Sequence, residues 1–177
     1  MKTWKKVTLG TVALGSAALL AACGNSGSSS SSSSKDIQWN LTSPIQTLDS
    51  SLATDTYSNI IIGNTNAGLT RVDKDGKAQP ELAKSVDVSK DGLTYTFHLR
   101  DGLKWSNGDA LTAKDFVYSW QRAVDPATAS EYGYLLGPVK NANEINGGKA
   151  DKSTLGVKAT DDKTFVVTLA PVSYTHL

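Results

Sequence analysis

"SVDVSKDGLTYTFHLRDGLKWSNGDALTAKDFVYSWQRAVDP" (85–126) is the stretch whose reading decides the fold. It contains two different periods. Asp91-Gly92 is a hairpin turn signal, and Leu93, Tyr95, Phe97 and Leu99 alternate with Thr94, Thr96, His98 and Arg100. Alternation of this kind puts one apolar face on a strand, so residues 85–100 read as a β-hairpin. His98 falls on the polar face and reads as an exposed or half-exposed strand residue, not as a ligand or base. After Asp101 the period changes. Thr112-Ala113-Lys114-Asp115 resembles a capping box, with Asp in place of Glu or Gln. Phe116, Val117, Trp120 and Val124 then recur at helical spacing, and Asp125-Pro126 ends the run. Three close aromatics, Phe116, Tyr118 and Trp120, raise the idea of a ligand box. Their spacing makes packing the better default for Phe116 and Trp120.

The same two signals recur on either side. "LGVKATDDKTFVVTL" (155–169) reads as a second hairpin turning at Asp161-Asp162-Lys163. "LTRVDKDGKAQPELA" (69–83) carries the turn signal Asp75-Gly76. Asp73 and Asp75 also hint at a calcium loop, but the later ligand positions are absent and a plain turn fits better. "TYSNIIIGNTNAGL" (56–69) fits a strand or a helix, and its length favours a helix ending near Gly68. "SPIQTLDSSLATD" (43–55) is turn-rich and irregular. "DIQWNLTS" (36–43) alternates as a strand, with Ile37, Trp39 and Leu41 on one face. Residues 127–150 read as loop and short helix. Short antiparallel strands with a few helices packed on them define an α+β class.

Composition narrows the function. Among 177 residues, 18 basic side chains face 17 acidic ones. That balance gives no support for a nucleic-acid partner, which wants a clustered basic excess. One cysteine makes no internal disulfide, and no Cys/His cluster is spaced for zinc. No G-x-S-x-G, H-E-x-x-H, P-loop or Rossmann pattern occurs. Ser32-Ser33-Ser34-Lys35 matches S-x-x-K only because it lies in a serine run, and no S-D-N or K-T-G follows. No catalytic residue, metal ligand or cofactor is expected, although a site assembled from distant residues stays open.

The N-terminus reads as a targeting segment. "MKTWKK" (1–6) is basic, "VTLGTVALGSAALLAA" (7–22) is uncharged, and the run is too short to span a membrane comfortably. Leu20-Ala21-Ala22-Cys23 resembles the lipobox of bacterial lipoproteins, in which the cysteine is lipidated and becomes the mature N-terminus. Two acyl chains on one residue meet the requirement for stable anchoring. Cleavage before Cys23 removes three lysines and no acid, taking the net charge from +1 to −2. The Gly/Ser tract 24–34 then acts as a flexible tether with a reach of about 17–20 Å.

Residues 91–136, "DGLTYTFHLRDGLKWSNGDALTAKDFVYSWQRAVDPATASEYGYLL", carry a more specific likeness. They resemble the signature region of the oligopeptide-binding lipoproteins of ABC importers, the dipeptide/oligopeptide class of bacterial extracellular solute-binding proteins. Tyr95, Phe97, Leu99, Arg100, Lys104, Trp105, Asn107-Gly108, Thr112-Ala113, Asp115 through Trp120, Arg122 and Asp125-Pro126 match in order. "SPIQTLDSSLATDT" and "LGVKATDDKTFVVTL" fit the flanks.

The resemblance implies a binding role rather than a reaction. It implies a two-lobed, periplasmic-binding-protein-like fold of mixed α/β character that closes over an extended peptide. Only part of the first lobe is present here. It implies a monomer that performs no chemistry and hands its peptide to a membrane permease driven by an ATPase. The protein would sit on the extracytoplasmic face of the cell membrane. Thr54, Asp55 and Thr56 fall where family members touch the peptide backbone, and an acidic contact of the family lands on Thr54 and is altered. Tyr132 falls where a ligand-contacting tyrosine sits, with ordinary packing as the alternative. A signalling-peptide (pheromone) receptor, a surface adhesin and an anchored hydrolase are the competing readings.

The expected organisation is a signal peptide (1–22), a lipidated Cys23 with its tether (23–35), the start of the main lobe (36–66), a small α+β subdomain (67–172) and a non-native tail (173–177). The tail "SYTHL" departs from the family, and a chain lacking the second lobe is expected to bind peptide poorly. The mass of the protein extracted from membranes tests the anchor. A diacylated Cys23 is expected, and an unmodified thiol would overturn it.

Overall fold

The computed structural model describes residues 39–171. The signal segment, Cys23, the serine tether, the first residues of the expected strand at 36–43 and the tail with His176 lie outside the described residues. In chain order the elements are α1 (Thr56–Thr65), β1 (Thr70–Val72), β2 (Ala78–Pro80), β3 (Ala83–Val88), β4 (Thr94–Leu99), α2 (Ala113–Val124), α3 (Ala142–Asn146), β5 (Val157–Asp161) and β6 (Thr164–Thr168). Short 3₁₀ turns lie at Pro126–Thr128, Gly133–Leu136 and Lys152–Thr154. The elements above all belong to one compact unit, which begins at Leu41.

Two hairpins build the main sheet, whose antiparallel order is β3-β4-β6-β5. The first turns where Asp91-Gly92 predicts. Gly92 has φ +71°, a left-handed conformation that glycine adopts without strain. The Asp91 carboxylate accepts from the Leu93 amide at 3.0 Å, and Ser89 Oγ accepts from the Thr94 amide at 2.9 Å. The register pairs Phe97 with Phe165 and Tyr95 with Val167, so the apolar residues of both hairpins share one face.

Helix α2 lies on that face. Phe165 is fully buried. Its ring centroid lies 5.7 Å from Phe116, 5.4 Å from Trp120 and 6.2 Å from Phe97, with the Trp120 pair edge-on. Edge-on and tilted rings are favoured arrangements and add to the burial itself. Ala113 and Val124, at the two ends of the helix, are also fully buried. The expected capping box forms: the Thr112 amide donates to Asp115 Oδ2 at 2.7 Å. The Ala113 amide donates to the Asp162 carbonyl in the β5–β6 turn at 2.9 Å, which ties the helix start to the sheet.

At Asp125 the backbone turns extended (φ −67°, ψ 122°), and Pro126 follows. The Asp125 side chain accepts from the Ala127 amide at 3.0 Å and starts the next turn. Gly156 closes the other end of the layer. A Cβ there would meet the Thr168 carbonyl oxygen at 2.6 Å and Lys140 Cβ at 2.7 Å.

Two expectations need correction. Residues 39–43 carry no strand. Alternation over so few residues supplies no partner strand, and none pairs there. Helix α1 ends at Thr65, not near Gly68, because Asn66 is already extended (φ −109°, ψ 148°). His98 is half-exposed as expected, and its Nε2 lies 2.9 Å from Asp87 Oδ2.

Phe165→Ala removes the ring on which three others pack. It should lower stability by about 3–5 kcal/mol in urea denaturation, the usual cost of emptying an aromatic core position. A loss below about 1 kcal/mol would show that the aromatic cluster does not hold α2 to the sheet.

Candidate functional site

The irregular segment before α1 buries one apolar side chain, Ala53, and is otherwise held by polar groups. The amides of Gln46 and Thr47 both donate to Ser58 Oγ at 3.2 Å, and Ser58 is fully buried. The Asp49 carbonyl accepts from the amides of Leu52 and Ala53 at 3.0 Å. Asp55 is the N-cap of α1, with Oδ1 accepting from the Ser58 amide at 2.9 Å. This is the standard way to satisfy one of the four unpaired amides at a helix start. Asp55 Oδ2 is buried and meets no well-aligned donor. The Ser58 hydroxyl beside the carboxyl, and then the Ser58 amide, hold Asp55 below the usual carboxylate range.

Asp55 is therefore a capping residue whose carboxylate faces its own helix. Thr54 and Thr56, on either side of it, are exposed.

Tyr132 is positioned by packing around its neighbour. Gly133 is buried, and a Cβ there would meet the Ala123 carbonyl oxygen of α2 at 2.7 Å. Only glycine lets this turn sit so close to the helix. Tyr132 is left 45% exposed, with its ring 6.4 Å from that of Tyr134. The two rings and Leu135 form an exposed aromatic and aliphatic edge.

Among the described residues, no cleft found is lined by both Thr54–Thr56 and Tyr132. A cleft of about 420 Å³ lies between Leu52, Tyr118, Arg122, Asp125, Thr128 and Lys152. A second, almost wholly apolar cleft of about 240 Å³ lies over the sheet, between Tyr95, Phe97, Trp120, Leu135, Val167 and Leu169. Neither is lined by Thr54, Asp55, Thr56 or Tyr132. Among the described residues, no three His, Cys, Asp or Glu side chains come together to hold a metal. No helix among them is long and apolar enough to cross a membrane. What the described surface offers is exposed hydroxyls, aromatic rings and apolar clefts, which suit binding.

Residues 77–174 match the family model of bacterial extracellular solute-binding proteins, family 5 middle region. The chain belongs to this family. It is 55% identical over 175 residues to the dipeptide-binding protein of Lactococcus lactis, covering 98% of this chain and 31% of that one. The substrate-binding domain of the oligopeptide ABC transporter of Bacillus anthracis superposes with a TM-score of 0.70 at 50% identity, covering 73% of this chain and 25% of that one. The pheromone receptor PrgZ superposes with a TM-score of 0.70 at 44% identity, covering 75% of this chain and 26% of that one. The family 5 chain described here thus spans about a third of the length of its relative and a quarter of the solved structures. Its α+β layer is part of the substrate-binding fold those structures share.

Within this family 5 chain, sequence reasoning passed over one pairing. Arg122 grips Asp49 with its two terminal nitrogens, Nη1 to Oδ1 at 2.7 Å and Nη2 to Oδ2 at 2.5 Å. The Arg122 hydrogen bond is the largest cause holding the Asp49 carboxyl below its usual range, and the contact raises Arg122 in turn. The partners are 73 residues apart, so no local pattern signals them. Arg122 stood out only as one of the residues matching the family.

Acid should weaken this region. A carboxyl whose folded pKa lies below its unfolded value contributes stability above that unfolded value, and the contribution is lost as pH falls through the folded pKa. For Asp55 the ordinary value is 3.8 and the folded value is lower. Asp55→Asn keeps a good N-cap and removes the titration. Its stability should fall less steeply than that of the unsubstituted chain between about pH 5 and about pH 2. An identical acid slope in the two proteins would show that Asp55 is not held as described.

Proposed function

We propose that the full protein is a lipid-anchored, extracytoplasmic substrate-binding protein that captures oligopeptides and delivers them to an ATP-driven permease. The observation carrying this reading is the 55% identity to a dipeptide-binding protein, which runs over almost the whole chain. The likeness to the substrate-binding domain of an oligopeptide ABC transporter supports the same conclusion. Cys23, followed by the serine tether, would hold the binding lobe close to the membrane and its permease. The protein would act as a monomer, without cofactor or metal.

On this reading Thr54, Asp55, Thr56 and Tyr132 belong to the peptide site. Peptide backbones offer the same donors and acceptors whatever their side chains, so a site that meets them with exposed backbone and hydroxyl groups tolerates many sequences. Thr54 and Thr56 flank the N-cap of α1, and both are exposed. Tyr132 adds an amphipathic ring, rigid and able to donate a hydrogen bond. A signalling-peptide receptor is the second reading, favoured by the equal TM-score to PrgZ. It uses the same scaffold and differs in what happens after capture. A non-transport surface adhesin is the third.

Calorimetry on the full-length protein tests the site. Binding of short peptides is expected, and Tyr132→Phe should weaken it by about 1 kcal/mol, the worth of an ordinary hydrogen bond. Unchanged affinity would remove Tyr132 from the site. Absence of peptide binding by the unsubstituted protein would remove the function.

A further inference from the structure

We propose that the Asp49–Arg122 ion pair is a positioning element of the peptide site, fixing the segment that carries Thr54, Asp55 and Thr56 against helix α2. The inference rests on the peptide-binding reading above, and it assigns a role to two residues that need not touch ligand.

The geometry runs in an unbroken series. Arg122 donates two hydrogen bonds to the Asp49 carboxylate. The Asp49 carboxylate also accepts from the Ser51 amide at 3.0 Å, and its carbonyl accepts from the amides of Leu52 and Ala53. On the other side, the Asp49 amide donates to Thr47 Oγ1 at 3.0 Å, and the Thr47 amide donates to Ser58 Oγ. The Ser58 amide donates to Asp55 Oδ1, the N-cap between Thr54 and Thr56. From a guanidinium on α2 to the start of α1, every link is a hydrogen bond.

Apolar burial in the segment is confined to Ala53, while Ile45, Leu48 and Leu52 are exposed. Ser58 is the one buried residue of α1, and Ile60, Ile61 and Ile62 are only half-buried. The cleft of about 420 Å³ lies beside the pair, between Leu52 on one side and Tyr118 and Thr128 on the other. The ion pair thus bridges a gap that apolar packing does not close. A planar guanidinium making two parallel bonds fixes direction as well as distance, which a lysine at the same place does not.

The full-length protein carrying Arg122→Gln, Asp49→Asn, both together, or Arg122→Lys tests this. Tetra-alanine is the probe for affinity, and amide hydrogen exchange is read in parallel. Each single change should weaken tetra-alanine binding by about three- to thirtyfold, the range seen for residues acting through others. The double variant should be no weaker than the worse single one, since both remove the same link. Arg122→Lys should fall between the unsubstituted protein and Arg122→Gln. Exchange should quicken at the Ser51, Leu52, Ala53 and Ser58 amides and stay slow at Phe97 and Phe165 in the sheet. Unchanged affinity in both single variants, additive losses in the double, or exchange quickening equally in the sheet would each overturn the proposal. If the unsubstituted protein does not bind tetra-alanine, the peptide-binding reading falls. The exchange pattern then decides by itself whether the pair holds the segment.

Discussion

The structure depends on one buried ring. Phe165 sits in β6 opposite Phe97 of β4, with Phe116 and Trp120 of α2 laid over it. That contact sets the register of the two hairpins and the face of the helix that turns inward. Once Phe116, Trp120 and Val124 face the sheet, helical geometry leaves Tyr118 and Arg122 on another side. Tyr118 is exposed and Arg122 meets Asp49. The helix is a spacer with two uses, one apolar toward the sheet and one polar toward the segment before α1. Burial of the first side is the stronger force, and the second is set by its result.

The surface charges do not share that role equally. Lys114 with Asp162, Lys74 with Asp75 and Lys163 with Asp101 join well-exposed side chains. Pairs of this kind contribute little, because water and salt screen them and two long side chains lose freedom. Asp49 and Arg122 are each about one-third exposed and meet through two bonds. Lower exposure and a fixed fork make this the pair with the most directional content. Asp125 is also shielded, at 19% exposure, but it meets Lys152 through one ammonium and already serves the next turn as its cap. That pair adds charge to a position the backbone has settled.

Local chemistry was legible in the sequence, and long-range chemistry was not. The turn at Asp91-Gly92, the capping box at Thr112, the stop at Asp125-Pro126 and the hairpin of 155–169 all follow from residues within a few positions of one another. The stretch 39–43, which carries no strand, shows the limit. Alternation expresses a preference for a pleated surface, but a strand also needs a neighbour to pair with. Helix α1 shows a related limit, since its end is set where Asn66 turns extended and its amide bonds back to the Ile62 carbonyl. Strand β3 shows a third. Val86 and Val88 pair with Phe97 and Tyr95, yet stay 40% and 51% exposed because α2 packs over β5 and β6. Which strand a helix covers is decided by the whole layer.

The candidate site divides along the same line. Tyr132 stands at the start of a turn pressed against α2 through Gly133, and α2 is held by the aromatic core. Its position is inherited from the strongest packing in the chain. Thr54, Asp55 and Thr56 stand on a segment held by hydrogen bonds and one ion pair, with little apolar burial of its own. A peptide captured by both would touch one wall fixed by the core and one fixed by polar links. On the proposed reading both walls are set before a ligand arrives, the first by close-packed rings and the second by a planar guanidinium whose two bonds fix direction as well as distance.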